Sequence, residues 1–118
     1  MKDKNIAYII WHEALQCSLA PLTWGIDFFD LRTLYNNKGV ESGIAFHVIG
    51  SWIHIEYNEA GNNFTITFIP DGQGKEIVRG SVLLQGIVPV IDEFLRETVL
   101  YKNRLSAEIG LTAQSRAS

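Results

Sequence analysis

Two runs near the middle of the chain, Ile44 to Ile49 and Trp52 to Tyr57, are rich in β-branched and aromatic residues and are separated only by Gly50-Ser51. A two-residue loop that opens with Gly predicts a type II′ hairpin. Such a turn sets Ile49 opposite Trp52, and therefore His47 opposite His54, Phe46 opposite Ile55 and Ala45 opposite Glu56. A third run, Phe64 to Ile69, follows the Asn58-to-Asn63 loop. Pairing Tyr57 with Phe64 brings His54 against Thr67 and Glu56 against Thr65. Side chains alternate across a strand, so two faces separate. One carries Ile44, Phe46, Val48, Ile53, Ile55, Tyr57, Phe64, Ile66 and Phe68, is apolar throughout, and must pack on helices. The other is mixed, with Ala45, His47, Ile49, Trp52, His54, Glu56, Thr65, Thr67 and Ile69. A fourth strand, Glu76 to Val82, is expected after the Pro70-Asp71-Gly72-Gln73-Gly74 turn.

The flanks read as helical. Ile6, Ile10, Ala14 and Cys17 recur at helical spacing, predicting a helix from Lys4 to Leu19 with Asp3 as N-cap and Pro21 beyond its end. A strand through Ile6–Trp11 is the alternative there. Thr23 to Tyr35 reads as a short second helix closed by the Asn36-Asn37-Lys38-Gly39 turn. Leu84, Ile87, Val88, Ile91, Leu95 and Val99 form a stripe, widened by Phe94, that predicts an amphipathic helix from about Leu83 to Arg104. Pro89 either sits in its first turn or kinks it. Residues 106–118 are small and polar and are expected to fray. The expected fold class is therefore α+β: one domain over residues 1–105, an antiparallel β-meander of three to four strands flanked by an N-terminal helix and a C-terminal amphipathic helix.

Composition adds bounds. A length of 118 residues fits one core of ordinary size, and 47 % hydrophobic with 19 % charged residues is ordinary for a globular domain. No uncharged stretch approaches the roughly 18 residues a membrane span needs, and the polar start, Met1 to Asn5, does not read as an export signal. A lone Cys17 cannot form an internal disulfide, which fits a reducing, cytoplasmic setting. The net charge is −3, and all of it lies in residues 1–61. No basic stripe marks a nucleic-acid surface, whereas a mildly acidic surface suits a basic protein partner.

Motif by motif, catalysis finds little support. His12-Glu13 resembles the start of a helical zinc-protease motif, but Gln16 stands where the second His is needed. Gly72-Gln73-Gly74-Lys75 resembles a phosphate loop, yet Ile69 and Glu76 occupy the positions of its first Gly and its hydroxyl, so it reads as a turn. Cys17 falls on the apolar stripe of the first helix and is expected to be buried and inert. His47, His54 and Glu56 share the mixed face, and directly opposed Cβ atoms lie about 5 Å apart, near enough for His47 and His54 to share a metal or a water. A polar surface is the plainer reading of the same residues, and no cofactor is implied. Trp52, on that face, is a typical interface anchor if exposed and an ordinary cover for a helix if not.

The sequence of elements, ending in Val82-Leu83-Leu84-Gln85-Gly86-Ile87-Val88-Pro89-Val90-Ile91-Asp92-Glu93-Phe94-Leu95, resembles the small bacterial immunity proteins that neutralise contact-dependent and other polymorphic toxins. The resemblance lies in size, acidity and the strands-then-helix ending. It implies a cytoplasmic, non-catalytic inhibitor that covers the active site of a basic toxin, often a nuclease, with acidic and aromatic side chains. On that reading the contact set is Asp27, Asp30, Glu41, Trp52, His54, Glu56 and Glu59. Two alternatives stand beside it. One is a small metal-dependent or His-based hydrolase built on His47, His54 and Glu56. The other is a homodimer or larger homo-oligomer joined through the mixed face.

Overall fold

The computed structural model describes residues 5–48, 50–72 and 74–97. Five antiparallel strands lie side by side in chain order: β1 (Asp27–Tyr35), β2 (Glu41–Val48), β3 (Ser51–Asn58), β4 (Asn63–Pro70) and β5 (Ile77–Val82). The fold is thus α+β as expected, with five strands rather than three to four. The additional strand is β1, which occupies the segment expected to form a second helix.

The alternation in β2, β3 and β4 produces the expected two faces. Phe46, Ile53, Ile55, Phe64, Ile66 and Phe68 are all buried on one of them. Each contributes roughly 1.5–3 kcal/mol through its removal from water. Against this face pack an N-terminal helical segment and helix α2, which spans 87–97. Trp24 stacks on Phe46 with ring centroids 6.4 Å apart, and Phe68 stacks on Phe94 at 3.8 Å. Pro89 is the third residue of α2 and so lies in its first turn, where its missing N–H costs nothing. The predicted extension of that helix to Arg104, the tail 106–118 and the Asp3 cap fall outside the described residues.

The N-terminal segment is shorter than the predicted Lys4–Leu19 helix. Helix α1 (Ile6–Ile9) runs into a π-helical turn, Ile10–Leu15, and a 3₁₀ turn follows at Ala20–Thr23. The Gln16 amide donates to the Trp11 carbonyl at 2.9 Å, five residues back. That wider turn changes the phase of the apolar stripe. Leu15 enters the core, and Cys17, expected to be buried, is exposed.

Strand register differs from expectation in one place. The β3–β4 pairing is as predicted, with Tyr57 opposite Phe64 and His54 opposite Thr67. In the β2–β3 hairpin, however, Val48 pairs with Ser51, so His47 lies opposite Trp52, Ala45 opposite His54 and Gly43 opposite Glu56. Gly50 is the second loop residue rather than the first, with φ +90°. The register has moved by two residues, a full pleat period, so every side chain keeps its face while acquiring a new cross-strand neighbour.

Two irregularities shape β1 and β2. Asp27 pairs with His47 and Arg32 with Ala45, so residues 28–31 of β1 oppose a single residue of β2. Near the other end Leu34 pairs with Gly43 and Tyr35 with Glu41, which leaves Ser42 as an inserted residue. Gly43 beside it is obligatory, since a Cβ there would collide with the Ile55 carbonyl oxygen. The insertion turns Glu41 toward the helix side, where its Oε1 accepts a hydrogen bond from the Ala7 amide at 2.7 Å.

Candidate functional site

The mixed face of the sheet is half-buried at its centre and is not covered by the helices, which pack on the opposite face. Trp52 sits there in a chain of contacts that fixes it. The Asp71 amide donates to the Gly50 carbonyl at 3.1 Å, anchoring the β4–β5 turn against the hairpin loop. His47 Nε2–H donates to the Asp71 carboxylate, 2.8 Å from each oxygen. The His47 ring in turn meets Trp52 edge-on, with centroids 5.3 Å apart at 66°. The Arg32 guanidinium also lies over the indole, 5.0 Å from its centre. A cation over an indole is worth about 0.5–1 kcal/mol at an exposed site. Each of these contacts is modest, but together they hold a large amphipathic ring in one orientation before anything binds.

Beside Trp52 the face dips into an open depression of about 260 Å³, lined by Arg32, Leu34, Ala45, Trp52, His54 and Ile69. Enclosed small-molecule sites are usually larger, and they bury most of their ligand. This hollow instead has the size and mixed lining to accept a side chain from another protein. A larger apolar depression, about 410 Å³, lies between the π-helical and 3₁₀ turns around Trp11, Leu15, Leu19, Pro21, Leu22 and Ile26, and no charged side chain lines it.

The contact set expected from the sequence divides in two. Trp52, His54 and Glu56 lie together on the mixed face, and Asp27 joins them through its pairing with His47. Asp27 Oδ1 also accepts from the Phe29 amide at 3.0 Å, steadying the start of the interruption in β1. Asp30 sits within that interruption, 3.8 Å from Arg32. Glu41 and Glu59 form a separate group at the far end of the sheet, lining a small notch near α1.

Direct opposition of His47 and His54, the basis of the two-histidine reading, is replaced by a diagonal placement, and His47 is engaged by Asp71. Among the described residues no group of three or more His, Cys, Asp or Glu side chains is placed to hold a metal ion. Sequence reasoning missed Arg32, Leu34 and Asp71. The first two were hidden by reading β1 as a helix; Asp71 was read only as a turn residue. It also missed Phe29, which the β1 interruption leaves wholly exposed.

No family model, curated protein or solved structure matches this chain. No helix among the described residues is long and apolar enough to cross a membrane.

Proposed function

We propose that this chain is a non-catalytic protein-binding module that grips a basic partner protein through the mixed face of its sheet, in the manner of an immunity protein that neutralises a toxin. The observation that carries the reading is Trp52, oriented by His47 and Arg32 on an open sheet face beside a hollow of mixed lining. Trp and Arg are the residue types that most often dominate interface energetics, and a ring already held in place loses little freedom on binding. The sign of the partner follows from charge. The full chain carries thirteen acidic side chains against ten basic ones, a net charge of −3, which favours encounter with a positively charged surface.

The test is affinity capture with the tagged wild-type chain and with Trp52→Ala, followed by growth assays of cells expressing the captured protein. Support requires a basic protein retained by the wild type, bound at least tenfold more weakly by Trp52→Ala, and toxic unless the wild-type chain is co-expressed. An acidic partner, equal retention by Trp52→Ala, or a partner harmless on its own overturns the reading.

A further inference from the structure

The notch near α1 combines features that the sheet face lacks. The start of β2, the end of β3 and the first turn of α1 meet there around a space of about 80 Å³. Glu41 and Glu59 both line it, and no Lys, Arg or His does. One Glu41 oxygen is occupied by the Ala7 amide, which leaves its second oxygen available. Ser42 lines the same notch and is only 9 % exposed. Its hydroxyl is the one buried side-chain polar atom among the described residues without a hydrogen-bond partner. Buried polar groups are rarely left unpaired, so a hydroxyl in this state beside two carboxylates points to a donor from outside the chain.

The neighbouring side-chain oxygens are already engaged. The Tyr57 hydroxyl donates to Asn62 Oδ1 at 2.8 Å, and Asn36 Oδ1 accepts from the Lys38 and Val40 amides at 2.9 and 3.1 Å. What remains for a ligand is three acceptors: the second Glu41 oxygen, the Glu59 carboxylate and the Ser42 hydroxyl. Ile6 and Val40 add apolar wall.

From this we propose that the notch is a socket for a primary ammonium group, the end of a lysine side chain on the basic partner. An ammonium carries three N–H donors and one positive charge, matching three acceptors that include two carboxylates. Its methylene stem suits the apolar wall. A compact ammonium can turn its three donors to acceptors around one small space, whereas a guanidinium presents a broad planar fork. The source of the lysine rests on the function proposed above; the socket's preference for an ammonium does not.

The experiment is an amide NMR titration of the full chain with three capped tripeptides: Gly-Lys-Gly, its Nζ-acetylated form and Gly-Arg-Gly. The lysine peptide is expected to shift the amides of Glu41, Ser42 and Glu59 with a dissociation constant on the order of millimolar. Binding should weaken at least fivefold for the acetylated and arginine peptides, and likewise in Glu59→Gln, a change at an exposed residue whose side chain holds no other part of the fold. Equal shifts with all three peptides, no shift at these residues, or unchanged binding by Glu59→Gln overturns the proposal. So does calcium chloride reproducing the shifts while the lysine peptide gives none. Failure of the two readings is distinguishable. A partner lost by Trp52→Ala but held at full strength by Glu59→Gln removes the socket and leaves the sheet-face reading. Lysine binding lost in Glu59→Gln, with no partner held through Trp52, does the reverse.

Discussion

Glu41, in the second strand, accepts a hydrogen bond from the backbone amide of Ala7, thirty-four residues earlier, at 2.7 Å. The first amides of a helix have no partner within it, and Asn5, at the N-cap position, makes no side-chain bond. A carboxylate delivered by the sheet therefore supplies the cap, and its negative charge also favours the positive end of the helix. Glu41→Ala is expected to destabilise the fold by about 1–2 kcal/mol, and Glu41→Gln, which keeps an acceptor but loses the charge, by less. Urea denaturation of the three chains checks the order. Equal stability of Glu41→Ala and wild type would show that the cap contributes nothing.

The indole N–H of Trp24 donates to Asp92 Oδ1 at 3.1 Å, tying the 3₁₀ turn to α2, and Asp92 Oδ2 accepts from Arg96 at 2.7 Å. Trp24→Phe keeps a ring above Phe46 but removes the donor. A loss of roughly 1–3 kcal/mol is expected, because a hydrogen bond to a charged group is forfeited and the ring shrinks. A shift in the thermal midpoint reports it, and a midpoint unchanged from wild type would contradict it.

How much of this was open to a reader of the sequence depended on whether a segment kept its period. Phe64, Ile66 and Phe68 alternate with Thr65, Thr67 and Ile69 without a break, so β4 and its pairing with β3 could be read residue by residue. In β1 the inserted residues break the alternation. Phe28, Leu31 and Leu34 then stand three apart, a spacing that imitates a helix. The π-helical turn did the same to Cys17, moving it off the stripe on which ordinary helical spacing placed it. At the hairpin the ambiguity was which loop position Gly50 fills, and only the two faces, not the neighbours across them, survive that choice. The site suffered most. Trp52, His54 and Glu56 were found, whereas Arg32 and Asp71 depend on an unread strand and on a contact 24 residues away in sequence.

Gly43 and Gly80 offer a paired test of the bulge. A Cβ on Gly43 would strike the Ile55 carbonyl, whereas one on Gly80 meets nothing within 4 Å. Gly43→Ala should cost about 1–3 kcal/mol through forced backbone displacement, and Gly80→Ala less than about 0.5 kcal/mol. Equal denaturation midpoints for the two variants would argue against the tight β2–β3 approach.

Ser42→Ala removes the unpaired buried hydroxyl. The free protein is expected to gain about 1 kcal/mol, since a desolvated group without a partner is replaced by a methyl. Binding of the lysine tripeptide should weaken in the same variant. A loss of stability would indicate that the hydroxyl is satisfied in solution.

Cys17 is exposed, with its thiol 3.3 Å from the His12 carbonyl oxygen. A disulfide reagent should therefore label the native chain fully and without denaturant. Protection until unfolding would show that the wide turn preceding it closes in solution.

The interruption at residues 28–31 has a consequence for how copies of this chain meet. β1 is one of the two open edges of the sheet, and a flat, regular edge is a template on which another strand can polymerise. Four residues set against one spoil that template in the first half of β1. The opposite edge, β5, is six residues long and contains Ser81 at φ +55°. With both borders irregular, the sheet resists growing sideways into fibrils, even with Phe29 standing fully in solvent.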